Sequence, residues 1–174
     1  MGSGDFMDIA AIRLLVLDVD GVLTDGRLTF TEDGERTKTF HVRDGCAIRL
    51  WRRCGGQVAI LSGRRVPAVS ARAEELGIEL VRLGVSDKGD AFVSLVGDAG
   101  CDVRETAYVG DDAPDLAPMR RCGLAVAVAD AAPVVKRAAD LITRRGGGAG
   151  AVAEVVEYVL RAQGRWPRDA LSPV

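Results

Sequence analysis

The sequence predicts an α/β fold, in which a parallel sheet is covered by helices on both faces. Apolar runs such as RLLVL, QVAIL and TAYVG alternate with amphipathic segments through most of the 174 residues. Strand-like runs that alternate with helical segments are typical of a parallel sheet with crossover helices. With 48% hydrophobic and 28% charged residues, the chain resembles an ordinary globular protein and is long enough for one sizeable core.

The predicted elements follow one another in a regular order. Apolar runs of four or five residues predict strands, at 13–17, 57–61, 78–81, 106–110, 124–128 and 140–143. Segments of helical periodicity predict helices between them, near 44–54, 67–76, 87–99, 113–121, 133–138 and 150–163. We assign residues 11–166 to a single domain, residues 1–10 to a flexible N-terminus and residues 167–174 to a C-terminal tail.

One segment interrupts the alternation. The stretch RLTFTEDGERTKTFHVRD contains two short β-like runs around EDGE, which predicts a β-hairpin with its turn at Asp33–Gly34. This hairpin flap covers about residues 27–42 and follows directly on the first strand and its loop. Because ligands of open α/β sheets bind beyond the carboxyl ends of the strands, we expect the flap to overhang a site there.

Composition excludes several classes of protein. A formal net charge of −2 gives no support for binding nucleic acid or anionic membranes, and no apolar run approaches the length of a membrane span. The four cysteines form no C-x-x-C pair and the chain has one histidine, so a zinc site is not expected. Free thiols and the lack of a signal-peptide core indicate a cytoplasmic protein.

The first predicted strand ends in two carboxylates. Asp18 and Asp20 follow the aliphatic run Leu14–Leu17 and, in strand geometry, would lie on the same side of the chain. Burying ionised carboxylates is costly unless they are paired or bind a metal, so a simple turn-capping role does not account for both. The pair therefore predicts a functional site.

Other segments supply groups that such a pair would need. A second strand ends in Ser62 and Gly63, a hydroxyl and backbone N–H groups that suit phosphate binding. Lys88 begins a helix, where a cation opposes the helix dipole. A third strand is followed by further carboxylates, at Asp111, Asp112 and Asp115. Several carboxylate oxygens suit Mg²⁺, and an aspartate that faces a bound phosphate can attack phosphorus.

These motifs resemble those of the haloacid dehalogenase superfamily of phosphohydrolases. The resemblance rests on D-x-D-G-V-x-T at Asp18–Thr24, on Ser62, on Lys88 and on G-D-D-x-x-D at Gly110–Asp115. It implies that Asp18 is the nucleophile, that Asp20 is the acid and then the base, and that Ser62 and Lys88 bind the phosphoryl group. It also implies Mg²⁺ on Asp18, Asp111 and the Asp20 carbonyl, with help from Asp112 and Asp115.

Further stretches resemble one subgroup, the 3-deoxy-D-manno-octulosonate 8-phosphate phosphatases and their nonulosonic (sialic-type) acid 9-phosphate relatives. They are FHVRDG, LSGR, LGVSDK and GGGAGAVAEVVEYVLRAQGRW, and the likeness runs from about Arg13 to Trp166. The resemblance implies a Rossmann-like domain with no cap domain, a small sugar-acid phosphate as substrate and a homotetramer. Candidate substrate contacts are Thr24, His41, Arg43, Arg64 and Arg72.

The resemblance has two departures, and other interpretations stay open. The tail pattern of the subgroup is G-G-x-G-A-V-R-E, often with a polar residue at x, whereas this chain has Ala149 at x and Ala153 in place of Arg, which affects the identity of the sugar acid. Alternatives are a phosphatase of a nonulosonic acid 9-phosphate or of another sugar phosphate, and a non-catalytic oligomerisation module. A phospho-acceptor receiver module is disfavoured by Asp20 and by the position of Asp18 on the first strand.

Overall fold

A six-stranded sheet forms the centre of the computed structural model, which describes residues 8–34 and 36–167. The strand order is β5-β4-β1-β6-β7-β8, and every pair within this sheet is parallel, as predicted. The strands, including a separate β2–β3 hairpin, are β1 (Leu14–Leu17), β2 (Thr29–Phe30), β3 (Arg36–Thr37), β4 (Gln57–Ser62), β5 (Leu80–Leu83), β6 (Thr106–Gly110), β7 (Leu124–Ala127) and β8 (Leu141–Ile142).

The helices lie where the apolar periodicity predicts them, with one difference. They are α1 (Val42–Arg53), α2 (Pro67–Glu75), α3 (Lys88–Asp98), α4 (Leu116–Met119), α5 (Pro133–Ala138) and α6 (Ala151–Ala162). The helix predicted over 113–121 is a 3₁₀ turn, Ala113–Asp115, followed by the single turn of α4. Pro114 and Pro118 lack backbone N–H groups, which limits the length of regular helix in this segment.

The position of β1 explains why its sequence is uniformly apolar. All four of its side chains are fully buried, and the strand pairs with β4 on one side and β6 on the other. Helices cover both faces of the sheet, with α1 packed on α6 and α3 packed on α4. Leu17 is in register with Ile60 and Val109, so the loops that follow these three strands emerge at one edge.

The predicted hairpin is present. Thr29 pairs with Thr37 in antiparallel register, and Gly34 turns the chain with a φ of +83°. Between β1 and β4 the chain forms only this hairpin, α1 and short turns, and between β4 and β5 it forms only α2. The described residues therefore contain no cap domain.

The two ends of the chain are described only in part. Residues 1–7 of the predicted flexible N-terminus, and residues 168–174 of the predicted tail, lie outside the described part. Asp8, however, caps a 3₁₀ turn at Ile9–Ala11, and Gln163 Nε2 donates to the carbonyls of Ala10 and Ile12. These bonds connect residues 10 and 12 to the end of the last helix. None of the helices within the described residues has the length and apolarity required to cross a membrane.

Candidate active site

The loop after β1 places the first two aspartates. Asp18 directly follows the strand, is 5% exposed, and its backbone N–H donates to the carbonyl of Val109 at 3.1 Å. A wide turn then runs from Val19 to Leu23 and is closed by Thr24, whose backbone N–H and hydroxyl both donate to the carbonyl of Val19. The loop is therefore fixed by β6 at one end and by Thr24 at the other.

Gly21 allows two parts of the site to meet. Its φ of +91° lies in the left-handed region that favours glycine. A Cβ added at this position would overlap the carboxylate of Asp111, which comes from the loop after β6. Packing thus explains the glycine of the D-x-D-G motif, because the absence of a side chain lets Asp111 approach the loop that carries Asp18.

Lys88 connects the loop after β1 to the loop after β6. Its Nζ donates to Asp18 Oδ1 at 2.8 Å and to Asp115 Oδ1 at 2.7 Å, and its side chain is 8% exposed. Burial acts to lower the pKa of Lys88, but the charges of Asp18 and Asp115 outweigh it and raise that pKa. Lys88 is therefore held as a buried cation next to Asp18.

Asp115 is the most highly connected carboxylate of the site. Oδ1 accepts from Lys88 and from the hydroxyl of Tyr108, both at 2.7 Å, and Oδ2 accepts from the backbone N–H groups of Asp111 and Asp112. The residue is 1% exposed. Asp112, by contrast, is exposed and caps the following 3₁₀ turn by accepting from the N–H of Ala113 at 2.7 Å.

Three carboxylates come together at this edge of the sheet. Oxygen atoms of Asp18, Asp111 and Asp115 all lie within 4.8 Å of one another. Burial, followed by the charge of Asp115, raises the pKa of Asp18 to about 6 even though Lys88 opposes the shift. Burial, followed by the charge of Asp18, raises the pKa of Asp111 to about 8. A hard divalent cation fits this set, because it would relieve the mutual repulsion of the carboxylates.

The side chain of Asp20 has different partners. Oδ1 pairs with the ammonium of Lys38, and Oδ2 lies 3.8 Å from Nε of Arg64. Lys38 comes from the hairpin, and Arg64 from the turn after β4. The Asp20 carboxylate therefore lies between the positive charges of Lys38 and Arg64.

Ser62 ends β4, which is the neighbour of β1 in the sheet. The residue is 2% exposed, and its Oγ accepts from the backbone N–H of Arg64 at 3.3 Å. Gly63 is exposed at the start of the same turn. The Arg64 side chain is 47% exposed and faces the edge of the site.

The remaining candidate substrate contacts differ in the hydrogen bonds that they make within the protein. Thr24 is buried and accepts from the N–H of Gly26 in addition to its bond to Val19. His41 caps α1 by accepting from the backbone N–H of Arg43, whose side chain is exposed. Arg72 donates to Glu75 and to the His41 carbonyl and lies over the Phe40 ring at 5.7 Å.

The glycine-rich turn before α6 packs against the site loop of the same chain. The N–H of Gly148 donates to the carbonyl of Val22 at 3.0 Å, and a Cβ at Gly147 would overlap the carbonyl of Gly21. At the beginning of α6, the N–H of Ala153 donates to Asp44 Oδ1 at 2.8 Å. Oδ2 of Asp44 is buried and has no hydrogen-bond partner among the described residues, and burial raises the pKa of this carboxyl.

Sequence reasoning missed two residues of the site. Lys38 is one of three lysines in the chain, and this scarcity is a reason to consider it as a functional residue. Nothing in the sequence, however, shows that it faces Asp20. Tyr108 lies inside the apolar run of β6 and resembles an ordinary core residue, although its hydroxyl donates to Asp115. Both contacts depend on tertiary structure.

Comparisons with known proteins show the family to which the chain is similar. A family model described as haloacid dehalogenase-like hydrolase matches residues 77–156. A 3-deoxy-D-manno-octulosonate 8-phosphate phosphatase from Haemophilus influenzae is 45% identical over 154 residues, which cover 88% of this chain and 86% of that protein.

Solved structures show the same likeness. The cobalt-bound deoxy-D-mannose-octulosonate 8-phosphate phosphatase of Haemophilus influenzae has a TM-score of 0.90 and 40% identity, covering 95% of this chain and 99% of that one. The Moraxella catarrhalis phosphatase, solved with magnesium, phosphate and 3-deoxy-D-manno-octulosonate (KDO), has a TM-score of 0.89 and 37% identity, covering 98% and 97%. The chain therefore belongs to the haloacid dehalogenase superfamily of phosphatases, in the capless subgroup that contains the 3-deoxy-D-manno-octulosonate 8-phosphate phosphatases.

Proposed function

We propose that the protein is a Mg²⁺-dependent phosphomonoester hydrolase that acts through a phosphorylated Asp18 on 3-deoxy-D-manno-octulosonate 8-phosphate. One observation carries the proposal. Asp18 directly follows the central strand in a buried position, is held by Lys88 at 2.8 Å and lies in a cluster of three carboxylates. Asp20, the proposed acid and base, follows two residues later.

The acidic cluster supports the choice of Mg²⁺. Asp18 and Asp111, with the backbone carbonyl of Asp20, would hold the ion, and Asp115 would keep Lys88 and the Asp111 backbone in place. When bound, the ion supplies charge that neutralises the carboxylates and the phosphate oxygens. The raised pKa values of Asp18 and Asp111 are those of carboxyls that a cation would help to ionise.

The first half-reaction transfers the phosphoryl group to the protein. A carboxylate oxygen of Asp18 attacks phosphorus, and the bond from phosphorus to the ester oxygen of the substrate breaks. Asp20 gives its proton to that leaving oxygen, which departs as the sugar hydroxyl. Lys88 and Ser62 contact the phosphoryl oxygens, so that fixed positive charge and a hydroxyl donor meet the developing negative charge.

The second half-reaction returns Asp18 to its starting state. Water attacks the phosphorus of the aspartyl phosphate while the Asp20 carboxylate accepts a proton from that water. The bond between phosphorus and the Asp18 oxygen breaks, and inorganic phosphate leaves. Asp20 is then protonated again and ready for the next ester.

Support for the sugar-acid substrate comes from the relatives and from the edge of the site. The Moraxella catarrhalis structure contains a KDO molecule, and the chains align over almost their full length. Arg64 is the basic side chain that extends from the phosphate-binding turn toward Asp20. Ala153 replaces the subgroup's tail arginine, so a substrate carboxylate has no partner at that position. His41, Arg43 and Arg72 are further proposed contacts for the carboxylate or the hydroxyls of the substrate.

Phosphate release from a panel of esters tests the proposal. The panel contains the octulosonate 8-phosphate, nonulosonate 9-phosphates and simple hexose phosphates, each with and without Mg²⁺. We expect preference for the octulosonate ester, with Asp18→Asn reducing release by at least about a thousandfold. Preference for a nine-carbon acid would move the assignment to the nonulosonate branch. If no ester gives Asp18-dependent release, the assignment as a phosphatase of sugar acids is wrong.

We also propose that the protein acts as a homotetramer in the cytoplasm. The hairpin supports association, since Leu28 is 45% and Phe30 is 55% exposed beside a site that has no cap domain. Large exposed apolar side chains in one patch are typical of contact surfaces between proteins. The four cysteines are free thiols in the structure, which suits a reducing compartment.

A further inference from the structure

The hairpin presents most of its described side chains to solvent but turns one inward. Thr29, Phe30, Thr37 and Thr39 are exposed, whereas the Lys38 side chain is only 2% exposed. Burying the long, flexible chain of a lysine and withdrawing its ammonium from water both cost free energy. A specific partner must compensate for this cost.

That partner is the carboxylate of Asp20. The Lys38 ammonium pairs with Oδ1, and Arg64 Nε lies 3.8 Å from Oδ2, so the two oxygens face different cations. Of the two cations, Arg64 is about half exposed, whereas Lys38 is enclosed. Burial lowers the pKa of Lys38 and the charge of Arg64 lowers it further, while the negative charge of Asp18 acts in the opposite direction.

The enclosure distinguishes this contact from an ordinary surface ion pair. Exposed pairs contribute little to stability and hold their side chains loosely, whereas removing one partner of an enclosed pair leaves an uncompensated charge. In the Lys38–Asp20 pair the side chains are 2% and 22% exposed. The Asp20 carboxylate is therefore fixed by a residue that belongs to the hairpin and not to the sheet.

We propose that Lys38 is a positioning residue, through which the hairpin holds the carboxylate of Asp20 for proton transfer. The inference rests on the proposed role of Asp20 as acid and base, and adds a residue to that machinery. The hairpin then has a function within its own chain, because its Lys38 places a positive charge next to Asp20. Displacing the hairpin would release the Asp20 carboxylate from one of its two cations.

The dependence on the leaving group tests this role. An alkoxide leaving group needs a proton, whereas nitrophenolate leaves without one, so misplacing the acid harms only the first kind of ester. For Lys38→Met we expect single-turnover transfer from the octulosonate ester to slow by about tenfold to a hundredfold, and nitrophenolate release to change by less than about threefold. Lys38→Arg should recover most of the loss, because it restores a cation at the same position.

A control variant removes a charge from the same hairpin region without touching Asp20. Arg27 has a side chain that is 87% exposed and pairs only with Asp25 among the contacts of the described residues. Arg27→Met should leave both rates within about twofold of the parent, as expected for an exposed charge. Equal slowing of both esters in Lys38→Met, or unchanged rates with both, would overturn the positioning role.

Amide hydrogen exchange tests the pair without using activity. Lys38→Met and Asp20→Asn should each speed exchange at residues 37–40 by about tenfold, and the double variant no further, because both remove one contact. Additive effects would overturn the pairing. Should the parent protein show no Asp18-dependent phosphatase activity, the proposed function fails, and the positioning role fails with it. The exchange result would then still show whether the Lys38–Asp20 contact exists.

Discussion

At the residue scale, Asp115 shows how one buried carboxylate organises the site. It accepts hydrogen bonds from Lys88 of α3, from Tyr108 of β6, and from the backbones of Asp111 and Asp112 in the loop after β6, so it connects these three parts of the chain. The D-D-x-x-D spacing places it one turn beyond Asp111, close enough for its Oδ2 to accept from two successive backbone N–H groups. We therefore expect Asp115 to hold Lys88 in its position next to Asp18.

Tyr108→Phe tests the least expected of these bonds. The hydroxyl is buried with Asp115 as its partner, so its loss should reduce the free energy of unfolding by about 1 kcal/mol. The ring and its edge-to-face contact with Phe92 are kept. Urea unfolding measures the change, and Tyr158→Phe, at an exposed tyrosine, is the matched control with no expected effect. A Tyr108→Phe protein as stable as the parent would show that the bond contributes nothing.

The pKa values of the acidic cluster predict how Mg²⁺ and pH act together. The folded-state values, about 6 for Asp18 and about 8 for Asp111, lie above the ordinary 3.8, so the metal-free folded protein holds protons that the unfolded chain has lost. The contribution of these groups to stability is therefore present at low pH and lost as pH rises through about 6 to 8. Mg²⁺ competes with those protons.

The increase in Tm caused by Mg²⁺, relative to EDTA at the same pH, should therefore be larger at pH 8 than at pH 6. Thermal unfolding at both pH values measures it, and Asp111→Asn should abolish most of the response. An increase that is equal at the two pH values would contradict the assigned cluster.

At the element scale, the glycine-rich turn and the loop after β1 act as one unit. Gly147 lies against the carbonyl of Gly21, so a methyl group there has no space. Gly147→Ala should reduce the free energy of unfolding by about 2 kcal/mol or more and impair phosphatase activity. Gly97→Ala is the matched control, because a Cβ there meets nothing within 4 Å and alanine favours the helix α3 by about 0.5 kcal/mol. Urea unfolding measures the free energy of unfolding of both variants. A Gly147→Ala protein as stable as the parent would contradict the close contact of Gly147 with the carbonyl of Gly21.

Much of the fold is predictable at this scale because each strand and helix carries its own periodic signal. The run Leu14–Leu17 identifies the central strand, and Asp33–Gly34 marks the hairpin turn. Asp18 and Asp111 each follow the carboxyl end of a strand. Because the carboxyl ends of parallel strands lie at one edge of a sheet, the sequence places both residues at that edge. The contact of Lys38 with Asp20 could not be predicted, because the course of a hairpin over a sheet is set by packing between elements. Asp112 caps a turn in the structure, and its proposed assistance to the metal stays a prediction.

At the scale of the whole molecule, the open site and exposed hairpin predict association. The proposed homotetramer should give four times the chain mass of 18.4 kDa in light scattering after size exclusion. Phe30→Ser should weaken the assembly, since Phe30 is 55% exposed on the hairpin. Val134→Ser, at an exposed position of α5, should leave it unchanged. A monomeric parent protein would contradict the predicted assembly.

Chemical trapping of the phosphorylated enzyme tests the central claim most directly. The protein is mixed with the octulosonate 8-phosphate and Mg²⁺, quenched with acid within a turnover and reduced with borohydride, which converts an aspartyl phosphate to homoserine. Mass spectrometry of the peptides should find homoserine at position 18, and none after the Asp18→Asn substitution. Homoserine at another aspartate, or rapid phosphate release by the Asp18→Asn protein, would contradict the account.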